Sequence, residues 1–223
     1  HLPHAGREAR GPGVDTMTAL AGREERVPRL AEPTLERLRI QARLQADRPE
    51  KGPHHVLRSP MDGKGFALLP RPDPGDLFYD IEGDPFYAEA GAEGLECLHG
   101  VWDGTSFTAF WAHDHVAEKQ ALARLLDLFY ARLNAHPEAH VYHYAAYEIT
   151  ALRKLCTRHG IGESRLDRWL RERRFCDLFA VVRGGIAASE VSYSIKEMEH
   201  LYGFTRTGEV KTAGGSVVAY EAW

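Results

Sequence analysis

No lysine or arginine occurs between Arg71 and Lys119, no apolar run approaches the roughly 20 residues that cross a bilayer, and Cys97, Cys156 and Cys176 share no metal-ligand spacing. The missing cations leave the acids of that stretch without a local counter-charge. The apolar runs are too short to span a bilayer and no positively charged start leads into a secretory one, so no membrane partner is expected. Three thiols cannot all pair, so they read as free side chains of a reducing compartment, and the cytoplasm is the expected location.

With 223 residues, 43% of them hydrophobic, the chain suits one large domain, or a domain with a smaller appendage, around a real core. Its net charge of −4 is unevenly spread, +3 over residues 1–75 and −7 over 76–223. The basic first part is rich in Pro, Gly and Arg. It holds one clear helix, opened by Pro33 and ended by Pro49, with Leu35, Leu38 and Ala42 on one face and Arg37, Arg39 and Arg43 elsewhere. Five prolines between Gly52 and Gly75 mark an extended linker or covering arm. The chain begins at His1 and ends at Trp223, just after an entering helix over 217–222, so it reads as an internal piece of a longer polypeptide.

From Asp76 the pattern becomes regular. A strand over 77–82, the Gly83-Asp84-Pro85 turn, and strands around 95–102 and 107–111 joined by Asp103-Gly104 predict a three-stranded meander. Leu122, Leu125, Leu126, Phe129 and Leu133 then recur at helical spacing after an Asp114 cap, and the helix stops over 134–137. A fourth strand over 139–144 runs into a helix carrying Ile149, Leu152, Leu155 and Cys156, which Gly160 stops. An Arg-rich helix over 166–174, an apolar stretch over 175–182, and a last helix capped by Ser194 with Glu197 and closed by Gly203 complete the pattern. The order βββαβα predicts an α/β fold: a mixed sheet of three antiparallel strands, then parallel ones, with flanking helices, behind an N-terminal helical and extended segment.

Within Leu77-Phe78-Tyr79-Asp80-Ile81-Glu82, strand alternation puts Phe78, Asp80 and Glu82 on one face, the two carboxylates about 6.6 Å apart. On an interior strand such a pair repels itself and loses hydration, and a divalent cation with oxygen ligands resolves the conflict. The plain alternative is a half-exposed strand with a wet acidic face, which Asp-x-Glu taken alone favours. His143-Tyr144-Ala145-Ala146-Tyr147-Glu148, closing the fourth strand, adds a third acid in the first turn of the next helix, where the helix dipole stabilises it whatever its role.

Together these segments resemble the DEDD (DnaQ-like) exonucleases. His143 to Glu148 is similar to their second motif, with Tyr144 in the place of the usual Asn and Glu148 in that of the usual Asp. Cys176-Asp177-Leu178, Tyr193 to Met198 and Tyr202-Gly203-Phe204 are similar to the stretches that follow it. Through Asp80-Ile81-Glu82-Gly83-Asp84-Pro85 the closer resemblance is to the YprB-like ribonuclease H domain of RecB-like nucleases, over about residues 76–220. That resemblance implies a ribonuclease H-like domain over 76–223 behind the 1–75 segment. It implies a metal-dependent nuclease, 3′–5′ exonuclease-like and acting on DNA or RNA, within a larger DNA-repair protein whose nuclease and helicase modules flank it. The metal ligands and catalytic residues implied are Asp80, Glu82 and Glu148, holding Mg²⁺ or Mn²⁺ in a two-metal site, with His143, Tyr147 and Asp177 supporting them. The family's final acid, on a late helix, should lie beyond Trp223, so the sequence supplies three of four carboxylates. Gly11-Pro12-Gly13-Val14 weakly resembles the tail of a helix-hairpin-helix element, a DNA-backbone binder.

Residues 153–174 hold eight Lys or Arg against three acids. Arg165, Arg168 and Arg171, with Arg37, Arg39 and Arg43, are therefore expected to track a nucleic-acid backbone, against the plain alternative of a solvated helix face. His113-Asp114-His115, His54-His55, and His140 with His143 have neither finger nor hydrolase spacing, so zinc finds no support. Ser192, Ser194 and the cysteines lack a His-acid partner pattern, so covalent hydrolase chemistry finds none either. The rival to a nuclease is a non-catalytic nucleic-acid-binding or protein-docking domain of the same fold.

Overall fold

The computed structural model describes residues 16–89, 92–207, 215, 218, 220 and 222. The 11–14 stretch compared with a helix-hairpin-helix tail lies outside them. The chain divides into two compact units, one of residues 1–67 with 179–206 and the other of 68–178 with 207–223. This differs from a single cut at residue 75, because 179–206 pack with the N-terminal part.

The first unit opens with α1 (Met17–Gly22), capped by the Thr16 hydroxyl accepting from the Ala19 N–H, and α2 (Glu32–Lys51). Pro33 opens α2 as expected, but Pro49 does not end it. A proline this close to the end costs little of the hydrogen-bond ladder. The helix closes instead at Gly52, whose φ of 71° suits glycine and whose N–H donates to Arg48 O at 2.9 Å. Leu35, Ala42 and Leu44 are buried on α2, and so is Arg39. Its guanidinium donates to the carbonyls of Glu24 (2.8 Å) and Glu25 (2.7 Å) and pairs with Glu32 and Glu36. Arg39 thus fastens the preceding segment to the helix and is withdrawn as a nucleic-acid contact. Arg37 and Arg43 remain exposed, Arg43 donating to Ala21 O. The linker then forms β1 (His55–Leu57).

The second unit is built on β2 (Leu77–Glu89), β3 (Ala92–Trp102), β4 (Phe107–Trp111), α3 (His115–Ala135), β5 (Val141–His143), α4 (Tyr147–His159), α5 (Glu163–Arg171) and β6 (Phe175–Asp177). Its sheet runs β4-β3-β2-β5-β6, antiparallel across the first three strands and parallel from β2 to β6. Gly83-Asp84-Pro85, expected as a turn, is instead a bulged continuation of β2, with register shifts after Glu82 and after Asp84. A bulge accommodates the proline because it takes Pro85 out of the regular ladder. On β2, Leu77, Tyr79 and Ile81 are buried while Phe78, Asp80 and Glu82 are exposed. The acid-bearing face is therefore wet rather than interior.

The buried face packs on α3, α4 and α5 around Phe129, which meets Tyr79, Trp169 and Phe175 edge-on with centroids 5.5 to 6.2 Å apart. Asp114 caps α3, accepting from the Ala117 N–H at 2.7 Å. The Asp103 carboxylate, held down to about 2 by the Ser106 and Thr105 N–H groups, fixes the β3–β4 turn at Gly104, where φ is 89°.

The chain re-enters the first unit through α6 (Leu178–Gly185), β7 (Ile186–Ala188) and α7 (Ile195–Met198), the last capped by Ser194. β7 pairs antiparallel with β1, so part of the expected linker is a strand. Gln41 and Gln45 of α2 donate to the carbonyls of Ala188 (2.6 Å) and Glu190 (2.9 Å). Gly65 and Gly184 touch so closely that a Cβ on Gly65 would lie 2.7 Å from the Gly184 carbonyl carbon. No described helix is long and apolar enough to cross a membrane.

His99, wholly buried on β3, meets the Tyr79 hydroxyl through Nδ1 at 2.9 Å and leaves Nε2 without a partner. Burial pushes its imidazole down to about 4. The folded value lies below the ordinary one, so the neutral ring contributes stability that is complete above about pH 6.5 and is lost as pH falls toward 4, about 3 kcal/mol in all. Urea midpoints should drop between pH 6.5 and 4.5, and His99→Gln should flatten that window. An unchanged slope in the variant would contradict the assignment.

Candidate metal centre

Asp80 and Glu82 stand on the exposed face of the central strand, opposite Gly100 and Leu98 of β3 in the ladder. The row through Glu82 continues across Leu98 to Trp111. Tyr220 stacks on Trp111 at 6.3 Å and 4°, and its hydroxyl donates to Ala112 O at 2.9 Å. The late part of the chain thus reaches this face, beside a cleft lined by Glu82, Asp84, Leu98, Trp111 and Tyr220.

Glu148 sits in the first turn of α4, as its motif predicts, but turned inward and 4% exposed. Its Oε2 lies 3.6 Å from His143 Nδ1 and has no hydrogen-bond partner. The turn that delivers it is set by two contacts. His143 Nδ1 meets Ala145 O at 2.7 Å, and the Ala145 N–H, at the strained φ of 76°, donates to Asp177 Oδ1 at 2.9 Å. Among the described residues, the one group of three ligands whose donor atoms all lie within 4.8 Å is Glu190, Glu197 and His200 in the first unit. Asp80, Glu82 and Glu148 do not form such a group: strand alternation sends the first two outward, while Glu148 is buried against His143. All the same, the charges of Glu96, Glu148 and Asp80 reach one point, the Tyr79 phenol, which burial first and then those charges raise well above its ordinary value.

Glu96 is a carboxylate that the sequence reading passed over. It lies opposite Gly83 and is 8% exposed, with the Tyr147 hydroxyl 3.1 Å from each of its oxygens. Burial raises its pKa above the ordinary carboxylate value. The signal was available, because an acid inside Leu95-Glu96-Cys97-Leu98 interrupts an apolar strand as Asp80 does. Glu118, fully buried in the first turn of α3, was also missed. It accepts from the Glu96 N–H (2.8 Å), Arg158 (3.0 Å) and His115, and its Oε2 lies 2.6 Å from His159 Nε2. Burial alone would raise its pKa, but these partners outweigh that and lower it. Glu118 ties β3, α3 and α4 together beneath the candidate centre.

The remaining expected contacts are surface groups. Arg165 pairs with Asp127 at 2.7 Å and lies over the Tyr130 ring, Arg171 pairs with Asp167 at 2.9 Å, and Arg168 lies 3.9 Å from Glu172. All three stay exposed on α5, whose other side buries Leu166 and Trp169. Of the histidine pairs, His54 meets Gly52 O, His113 the Tyr220 hydroxyl and His115 Glu118, while His140 Nδ1 is buried without a hydrogen-bond partner.

The family model for the RNase H superfamily matches residues 77–223. The chain belongs to the RNase H superfamily. Its five-stranded mixed sheet with flanking helices is the corresponding α/β fold, and membership makes it a domain of nuclease-like fold with nucleic acid as the implied partner. Comparisons with curated proteins and with solved structures found no match. Superfamily nucleases typically use divalent metals, and this chain's candidate donors suit one in their chemistry: they are all carboxylate oxygens, and Glu148 Oε2 is a buried acceptor with no hydrogen-bond donor.

If Asp177 holds the β5–α4 turn, Asp177→Ala leaves the Ala145 N–H unsatisfied and should cost about 1–3 kcal/mol, read as a lower urea midpoint. An unchanged midpoint would contradict that role.

Proposed function

We propose that the domain is a metal-dependent nuclease that hydrolyses phosphodiester bonds of DNA or RNA, exonuclease-like with 3′–5′ polarity. The observation that carries this reading is the pair Asp80 and Glu82 on the exposed face of the central strand of an RNase H superfamily sheet, in a stretch without lysine or arginine. Asp80 and Glu82 would hold the metal from β2, and Glu148, turning away from His143, would complete the set from the start of α4, with Mg²⁺ or Mn²⁺ suited to oxygen ligands. A pair of divalent ions, when bound, supplies an activated water and a counter-charge for the leaving oxygen. His143 and Asp177 fix the turn that presents Glu148. Arg37, Arg43, Arg165, Arg168 and Arg171 follow the backbone of the nucleic acid, which positions the substrate without reading its sequence. The wider setting we infer is a RecB-like protein of the cytoplasm, with nuclease and helicase modules flanking this domain, acting in DNA repair.

A second reading, a non-catalytic nucleic-acid-binding or docking domain, is favoured by one observation, the burial of Glu148 against His143. Mn²⁺ distinguishes the two. At a hundredfold excess over its dissociation constant it should stabilise the fold by about 2.7 kcal/mol, and Asp80→Asn should abolish that gain together with Mn²⁺-dependent cleavage of an end-labelled oligonucleotide. Stabilisation that survives in Asp80→Asn would overturn the assigned centre. Stabilisation lost without any cleavage by the parent chain would favour the second reading.

The arginines carry a separate expectation. Replacing Arg165, Arg168 and Arg171 together by Ala should reduce the slope of log affinity against log salt by roughly 2 to 3. Binding that is insensitive to salt in the parent chain would remove the backbone-tracking role.

A further inference from the structure

The sheet face that exposes Asp80 and Glu82 also exposes a row of aromatic rings. Ladder pairing sets Phe78 of β2, Trp102 of β3 and Phe107 of β4 side by side, and Tyr142 of β5 continues the row. The Phe78 and Tyr142 rings stack at 5.2 Å and 19°, and the Tyr142 hydroxyl donates to Asp76 Oδ2 at 3.3 Å, which fixes that end. Phe78, Trp102 and Phe107 nevertheless stay exposed, Phe107 by 61%. The next row along the strands, about 6.6 Å away, is Asp80, Gly100 and Ala109. Phe107 leans into it: a Cβ on Gly100 would lie 2.9 Å from the Phe107 ring, so the ring rests on the glycine that is the ladder partner of Asp80. Gly100 is not among the glycines with positive φ, so the position uses the missing side chain rather than an unusual backbone. Glycine inside a strand weakens it and often marks a place where another group approaches closely.

Exposed rings held in register on one face mark a binding surface rather than scattered surface residues. The neighbouring acids select its occupant. A second copy docked about a two-fold axis would bring the Asp80 and Glu82 of both chains into one interface, and an apolar helix would take these exposed carboxylates out of water. A flat base instead stacks on a ring through its π-face and leaves the acids to a metal ion and the phosphates of the strand. We propose that Phe78, Trp102 and Phe107 form a base-stacking platform and that the substrate is a single-stranded nucleic acid, its bases on these rings and its backbone crossing Asp80 and Glu82. The inference rests on the nuclease reading above for the kind of partner. Inside a duplex the base faces are already stacked on one another, so a duplex cannot use the platform.

The test is fluorescence anisotropy of the full 223-residue chain in Mn²⁺ with a labelled phosphorothioate oligodeoxynucleotide, which resists cleavage, offered as single strand and as duplex. The matching single-stranded oligoribonucleotide is a separate arm, and since a ring reads no sugar, both single strands should bind. Each should bind about tenfold or more tighter than the duplex, and Phe107→Ala and Trp102→Ala should each weaken single-strand binding about fivefold or more, while Phe107→Trp preserves it. Unchanged affinity in both alanine variants, beside Mn²⁺-dependent cleavage that Asp80→Asn removes, would overturn the platform and leave the nuclease reading standing. Weakening in both, with no cleavage by the parent chain, would support the platform and remove only the nuclease reading. A duplex bound as tightly as the single strands, or no single strand bound at all, would overturn the platform. So would a dimer in sedimentation velocity that Phe107→Ala disperses, which would assign the face to a second copy. If an alanine variant fails to fold, amide shifts in the parent chain decide: the single strand should move the Gly100 and Phe107 signals, and shifts confined to α2 and α5 would contradict the proposal.

Discussion

The alternation of β2 is the constraint from which the second unit follows. A central strand hydrogen-bonded on both edges must bury one set of side chains, and Leu77, Tyr79 and Ile81 are the set that meets Phe129 and its neighbours on α3, α4 and α5. A slip by one residue would place Asp80 and Glu82 in that core without counter-charge, so register and site are one decision. Metal binding is then not needed to rescue buried charge on β2. Water already solvates Asp80 and Glu82, and a cation there would compete with hydration rather than replace a missing partner.

The charge that is buried lies one layer in. Glu118 is satisfied by a backbone N–H, an arginine and two histidines, which makes it a fastening between elements. Glu96 and Glu148 lack comparable partners, and Gly83 and the Ala145 turn are backbone features that make room for one and deliver the other. Buried polar groups left short of partners cost stability, and a fold tolerates them more readily where they serve a site.

Much of this was legible in the chain. Period-2 alternation over 77–82, the Asp103-Gly104 turn and the 3.6-residue spacing from Leu122 to Leu133 correspond to β2, β3–β4 and α3, because local pattern and tertiary packing agree there. The Asp114 and Ser194 caps were readable for the same reason. Burial was less legible: nothing local tells whether the acid-bearing face of a strand is wet. Arg39 looks like its neighbours Arg37 and Arg43, yet folding back of residues 24–25 makes it a buried fastener. Long-range pairings were illegible in principle, since β1 meets β7 across about 130 residues and the 179–206 segment joins the N-terminal unit. Of the candidate site, Asp80, Glu82 and Glu148 were visible through their motifs.

The central claim is that a divalent ion binds Asp80 and Glu82 at the exposed face of β2. Anomalous diffraction from crystals grown with Mn²⁺ tests it most directly. The account predicts a manganese peak within coordination distance of Asp80 and Glu82, with Glu148 turned toward it. A peak at Glu190, Glu197 and His200 alone, or none on β2 at saturating metal, would contradict it.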